Sequence, residues 1–464
     1  MKHSINILFA TCLALAPAAG AAQTIAKDHP QHAMPATANN RGIALSTPRR
    51  KAASQEIVVA ADGSINVLWV ETMSVEAVMS EHNVRAMNTR KLSEHGDHAQ
   101  HGAVPATVKI GNDVMFARST DGGRTFSKPV RVNSEAGEVR GVNGNKPRLA
   151  IDAKGTIHIS WVAAAKTADG FALDIRYANS SNSGKSFTAS RTINTQQKTT
   201  DPTTGMGNTH AFVGMNLTPQ GALHFFWIDT RFMKDATGSA AMFSTSSLDG
   251  GKTFTKEREI YNTAICGCCQ IDALTAADGT MYLSWRKVYA NNARETVVAH
   301  STDNDKTWST PVRLSEKDWI SAGCPHKPSA LALDKEGRLF VTWYTEAEKP
   351  RGVYYAMSAD KGKTFSAPML MHTEAELSDH PEVTVGRDGT VYAIWSSRVG
   401  DARKLFMRTS RDHGKTFAPA VALDAPDGAD YPVIEAIAAG KLLVAWQQGG
   451  QIFLRAYGEL TAQR

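Results

Sequence analysis

The feature that most constrains this chain is a hairpin that recurs seven times, each copy ending in tryptophan. Alternating apolar and polar residues lead to Trp69, Trp161, Trp227, Trp285, Trp343, Trp395 and Trp446, as in Ile65-Asn66-Val67-Leu68-Trp69 and Val391-Tyr392-Ala393-Ile394-Trp395. A period of two over such runs predicts strands with one face toward a core. A third strand follows, and then a second signature, Ser119-Thr120-Asp121-Gly122-Gly123-Arg124-Thr125-Phe126. It returns around Asn182, Asp249, Asp303, Asp360 and Asp412, at intervals of 52 to 67 residues. Four short strands in such an interval cannot cover their own faces, but copies stacked radially cover one another. The repeat therefore predicts an all-β chain, a β-propeller of four-stranded blades. Seven tryptophans argue for seven blades, with six plus one aberrant hairpin as the alternative. The last unit, Tyr431 to Leu460, supplies three strands, and Gly42-Ile43-Ala44-Leu45-Ser46 offers a fourth from the other end of the chain, within 41–46.

Composition removes several partners. The chain has 464 residues and a formal charge of +6, from 51 Lys+Arg against 45 Asp+Glu that are scattered rather than clustered. That gives no basis for nucleic-acid binding. Lys2 and His3, an apolar run from Ile5 to Ala16, and Ala18-Ala19-Gly20-Ala21-Ala22 read as an export signal over residues 1–22. No later run is long and apolar enough to span a membrane. The expected location is periplasmic or secreted. Residues 23–50 read as a mobile polar arm, and 51–464 as the propeller, with a His/Met-rich insertion at 72–112.

The eight-residue turn is the Asp-box. On its six copies, over about residues 50 to 460, the chain resembles the sialidase (neuraminidase) superfamily of Asp-box, or BNR-repeat, propellers. The boxes themselves do structural work, because the Asp accepts hydrogen bonds within the turn and the aromatic packs between strands.

In a blade of this kind the start of the first strand and the loop after the tryptophan share one face, opposite the Asp-boxes. Before successive first strands stand Met206 and His210, then Cys266-Gly267-Cys268-Cys269, then Cys324-Pro325-His326, then His380. Thiolate and imidazole donors suit Cu(I) or Zn(II), and thioethers shift the preference to copper, with zinc second. The expected ligands are Cys266, Cys268, Cys269, Cys324 and His326, with His210 and His380 beside them. Disulfides between the same four cysteines are the alternative. The loop after Trp69 adds Met73, Met79, His82, Met87, His95, His98 and His101, and the arm adds His29, His32 and Met34. A metal ion or a metal-delivering protein is the partner this reading implies.

After the tryptophans come Asp229 and Arg231, Arg286, Tyr344 and Glu346, and Arg398. The resemblance implies an arginine triad that clamps a substrate carboxylate, a Tyr activated by a Glu, and an Asp acid/base. Arg231, Arg286 and Arg398 would form the clamp, with Tyr344 or Tyr354 and Glu346 nearby. The superfamily's early Arg-Ile-Pro motif is missing, since the first blade begins Glu56-Ile57-Val58-Val59 and Lys146-Pro147-Arg148-Leu149 is a loose echo. Its catalytic roles are therefore not carried over, and ion pairing between blades is the competing use of these arginines.

Three functions follow: a soft-metal binder, a glycoside hydrolase acting on sialylated or acidic glycans, or a non-catalytic propeller that binds a glycan or a protein. An enzyme here would be a sialidase-like glycoside hydrolase or a metal-dependent redox enzyme.

Overall fold

A computed structural model describes residues 42–48, 50–73, 111–140, 145–165, 171–195, 206–232, 240–267, 269–321, 326–372, 377–438 and 440–458. The export signal, most of the arm and most of the His/Met-rich insertion lie outside them. So do Cys268 and Cys324. Apart from a 3-10 turn at Ala290–Asn292, every regular element among the described residues is a strand.

Among the described residues the strands pair into four four-stranded sheets and one 12-stranded sheet, and chain order divides them into seven antiparallel units. In the first, Arg50–Val59, Ile65–Met73, Asn112–Ser119 and Val130–Arg131 pair in chain order. The inner strands of the others are Arg148–Ile151, Met206–Leu217, Asp272–Thr275, Ser329–Leu333, Leu377–Val385 and Asp430–Ala438. Each inner strand packs beside the next, and the seventh packs beside the first. Hydrogen bonds also join neighbouring units, where Thr209 faces Leu173 and Ile265 faces Lys287.

Burial explains why the period-two pattern yields this stacking. All seven repeat tryptophans are at most 1% exposed. One apolar cluster holds Trp69, Met115, Leu443 and Leu454, from the first and seventh units. Another holds Leu68, Phe116, Ile159 and Trp161, from the first and second. The core is thus a series of layers between units rather than one centre. Truncating one such tryptophan to alanine costs about 3–5 kcal/mol.

The Asp-boxes stitch these layers on one face. Ser119 Oγ donates to Asp121 Oδ1 at 2.7 Å, and Asp121 accepts the Thr125 hydroxyl at 2.6 Å and the Thr125 amide at 3.0 Å. The Thr307 hydroxyl and amide hold Asp303 down to about 2 in the same way. Gly251, at φ +81°, shows why the box needs glycine: a Cβ there would sit 1.9 Å from the Tyr177 hydroxyl of the preceding unit.

The seventh unit draws its fourth strand from the N-terminal side. Ile43 pairs with Leu454 and Ala44 with Phe453. The Ile452 amide donates to Ser46 Oγ, and Ser46 Oγ to Gln451 Oε1, both at 3.0 Å. Gly42 takes φ +69°, and a Cβ on it would lie 2.9 Å from both the Trp446 ring and the Leu454 carbonyl oxygen.

Candidate functional site

The face opposite the Asp-boxes is built by strained starts of the inner strands. Ser54, Phe212, His326, His380 and Tyr431 have φ of 58°, 56°, 48°, 52° and 49°. Four of them sit in bulges, where the pairing register shifts between Ala53 and Glu56, Ala211 and Gly214, Asp379 and Glu382, and Asp430 and Val433. A bulge with a left-handed residue re-aims a side chain away from the sheet, and such strain concentrates at functional surfaces. Around the axis all of these residues but Phe212 line a cavity of about 60 Å³, with Lys146, Gln270 and Glu382 also among its walls.

The expected metal ligands are distributed over this face. Cys266 and Cys269 are 1% and 2% exposed, with their Sγ atoms 3.9 Å apart. The Nη1 of Arg294 lies 3.4 Å from Cys266 Sγ. His326 is exposed at the axial cavity. His210 is buried, with Nδ1 on the Leu173 carbonyl at 2.8 Å and Nε2 3.3 Å from Asp229 Oδ2, a partner set that ties two units together. His380 Nδ1 lies 3.0 Å from Asp430 Oδ1 and 3.1 Å from Asp379 Oδ1, and its ring stacks on Tyr431 at 3.8 Å. Among the described residues, no set of three potential ligand atoms within 4.8 Å of one another includes a cysteine. The structure therefore brings Cys266 and Cys269 together and leaves His210, His326 and His380 elsewhere.

The three expected arginines also part company. Arg231 is held by Asp229 at 2.6 Å and Glu257 at 2.7 Å, with its guanidinium 3.9 Å from the Phe243 ring centre. Arg286 is 2% exposed and donates to the carbonyls of Arg294, Lys327 and Tyr344 while covering Trp319. Arg231 is held within the third unit, whereas Arg286 is a strut from the fourth unit to the fifth. Arg398 alone reaches an open site, a cavity of about 270 Å³ lined by Tyr344, Arg351, Leu377, Ser378, Asp379, Arg398 and Arg403.

Here the charges are arranged for an anion. Tyr344 donates its hydroxyl to Glu346 Oε1 at 2.8 Å, and burial, then this contact, pushes its pKa above the usual phenol range. Arg351 lies 3.9 Å from Glu346 and Arg398 3.9 Å from Asp401, with side chains 55% and 56% exposed. Such loose pairs leave the guanidiniums available to a ligand. Arg403 grips Asp379 at 2.6 Å, and Lys327 reaches the same carboxylate at 2.7 Å. Burial raises the Asp379 pKa, but Arg403, His380 and Lys327 outweigh it and bring the group to about 2.

Arg351, Arg403, Asp379 and Asp430 were not singled out from the sequence. A signal existed for Arg403: a tight hairpin after Trp395 places it directly opposite Arg398, as the register shows. Arg351 had the same signal, since the hairpin after Trp343 pairs Thr345 with Gly352, whereas Asp430 comes from the seventh unit and had none.

A BNR repeat-like domain matches residues 285–456. Among solved structures, an ulvan lyase of polysaccharide lyase family 25 shares 13% identity, with 90% of this chain and 96% of that chain covered and a TM-score of 0.55. The same lyase bound to a GlcA(1-4)Rha3S unit aligns at 13% identity over 91% and 94%, with a TM-score of 0.54. A Hadza microbial sialidase aligns at 13% identity over 91% and 96%, with a TM-score of 0.47. No curated protein matches.

Proposed function

We propose that this chain, a BNR-repeat protein with the sialidase-like β-propeller fold, binds and cleaves an anionic glycan in the cavity between its fifth and sixth units. One observation carries the reading: the hydrogen-bonded Tyr344–Glu346 pair borders the same cavity as Arg351, Arg398 and Arg403. A sugar carboxylate or sulfate would be held by the two loosely paired guanidiniums, with Arg403 positioned through Asp379. Glu346 stands where it can take the Tyr344 proton as the phenol oxygen bonds to the anomeric carbon and the glycosidic C–O bond breaks, the departing sugar oxygen taking its proton from water; the paired carboxylate turns a poor nucleophile into a usable one. Asp379 stays ionised under its cationic partners, so its part is electrostatic rather than that of a proton donor. The ulvan lyase of similar fold is seen bound to a GlcA(1-4)Rha3S unit, an anionic glycan, which agrees with this substrate class.

The reading includes a ring of seven blades. The seven units, their inner strands in cyclic contact and the pairing of residues 43–44 with 453–454 support it. The test is turnover of a fluorogenic sialoside and of uronate-containing and sulfated polysaccharides, by wild type and Tyr344→Phe. Cleavage of one substrate class that the variant loses is the expected result. Equal activity in the variant, or no binding of any anionic glycan, would overturn the assignment.

A further inference from the structure

We propose that Glu295 of the fourth unit is a positioning residue for the Tyr344–Glu346 pair of the fifth, acting through the hydroxyl of Thr345. The inference rests on the roles proposed above for Tyr344 and Glu346. Side chains alternate along Tyr344-Thr345-Glu346. The first and third meet at 2.8 Å beside the cavity, and Thr345 turns inward, where it is 0% exposed. Thr345 Oγ1 donates to the two carboxylate oxygens of Glu295 in a long, shared bond, 3.4 Å from each, and accepts the Ala347 amide at 3.0 Å. One buried hydroxyl thus anchors the residues on both sides of Glu346.

Glu295 also holds the platform beside Tyr344. Its Oε1 accepts the Trp319 amide at 3.0 Å, and the Trp319 ring meets the Tyr344 ring edge-on, with centroids 5.5 Å apart. Arg286 braces the same platform. Its guanidinium lies 4.6 Å from the Trp319 ring centre, and Nη2 donates to the Tyr344 carbonyl at 3.1 Å. Through two separate hydrogen bonds, one carboxyl therefore reaches the backbone around the base and the ring packed on the nucleophile.

Proton occupancy changes what Glu295 can hold. As a carboxylate it accepts from both the Trp319 amide and the Thr345 hydroxyl. As a carboxylic acid it must also donate, and its hydrogen-bonded oxygen partner is Thr345 Oγ1, which already accepts the Ala347 amide. The two states thus demand opposite directions of the Glu295–Thr345 bond. Burial pushes the Glu295 carboxyl up to about 7, against Arg286, Arg313, the Trp319 amide and the Thr345 hydroxyl, so the states exchange in the neutral range. Lys287 stands opposite Glu295 in the pairing register, and the Tyr289 phenol also lies within reach of its charge. The ionised state is the one that fixes Tyr344 and Glu346, so kcat rises with pH through about 7.

The test follows kcat and KM from about pH 6 to about pH 9 on whichever of the fluorogenic sialoside, uronate-containing and sulfated polysaccharides wild type cleaves. In Glu295→Gln the amide nitrogen donates to Thr345 as the protonated acid does. Its kcat should lack the rise and lie roughly 10-fold below wild type on the alkaline side, with KM unchanged. Thr345→Val should behave alike, and Thr345→Ser, which restores the hydroxyl, should restore the rise. Urea midpoints at each pH separate this loss from unfolding. A rise of wild-type size in folded Glu295→Gln would overturn the proposal.

A second readout needs no turnover. In the whole chain with tyrosine labelled at its ε carbons for NMR, the Tyr344 resonance is identified by its absence in Tyr344→Phe. It should shift with a midpoint of about 7 in wild type and stay fixed in Glu295→Gln. A Tyr344 signal indifferent to Glu295 would sink the positioning role even in an active enzyme. Failure of wild type to cleave any of the glycans would overturn the assigned chemistry instead and leave this resonance to judge the coupling.

Discussion

Lys146 Nζ lies 2.8 Å from Glu382 Oε1, which joins the second unit to the sixth although these units are not neighbours in the cyclic order. The contact reaches across the axial cavity, and both side chains are about one-quarter exposed, at 24% and 23%. Partial burial makes the pair stronger than a surface bridge and weaker than a buried one. A double-mutant cycle of Lys146→Met and Glu382→Gln should give a coupling of about 1 kcal/mol in urea unfolding. Additive effects within about 0.3 kcal/mol would show that the bridge holds nothing together.

The strand taken from the N-terminal side predicts a second stability effect. Gly42→Val should cost about 2 kcal/mol, because the new side chain meets the Trp446 ring and a carbonyl at a backbone conformation that suits glycine. Ser46→Ala should cost about 1 kcal/mol through the lost bond from the Ile452 amide. Thermal unfolding of both variants checks the order of the two effects.

The glycan site predicts a division of kinetic effects. Tyr344→Phe should lower kcat by about 100-fold or more while KM changes little, since the ring remains and only the reacting oxygen goes. Arg398→Ala should raise KM about 10-fold with a smaller change in kcat, as expected for a residue that holds the substrate's anion. The reverse pattern would assign the roles differently.

Glu295 predicts a pH dependence. It is fully buried, and burial, opposed by Arg286 and Arg313 and by the amide of Trp319, raises its pKa from 4.5 to about 7. A carboxyl whose folded pKa lies above its unfolded value stabilises the fold most where it is protonated in both states. Its contribution is therefore complete below about pH 4.5 and is lost as pH rises through about 7, at most about 3 kcal/mol. Glu295→Gln should flatten the stability profile across this window and be the more stable protein at pH 8, measured by urea midpoints.

Much of the fold was legible because one period recurs in one register. The tryptophans, the Asp-box serines and glycines, and even the short segment Gly42–Ser46 carry local signals that neighbouring copies reinforce. The site was legible only in part. Arg231 and Arg398 follow their tryptophans at nearly the same distance, yet Arg231 is taken up by Asp229 and Glu257 while Arg398 faces the cavity. A local signal separated them, since Asp229 stands two residues before Arg231 whereas two serines precede Arg398. His210 and His380 mark the limit of local reading: each lies inside an inner strand, and partners up to 50 residues away decide what each ring does. The position of a side chain on a face follows from the repeat, whereas its occupation depends on the partners that its own unit and its neighbours supply.

The bond from Ser46 to Gln451 spans 405 residues. During synthesis the segment that completes the seventh sheet emerges before the first six units, and its partner strand emerges after them. At roughly 5–20 residues per second, the early strand waits about 20–80 s without its neighbour. The six preceding units can form as they are made, but the sheet that joins the two ends can be finished only after synthesis of Gln451–Tyr457. Assembly is therefore ordered in time, with a final long-range step whose rate depends on how well the intervening units have already brought the two segments together.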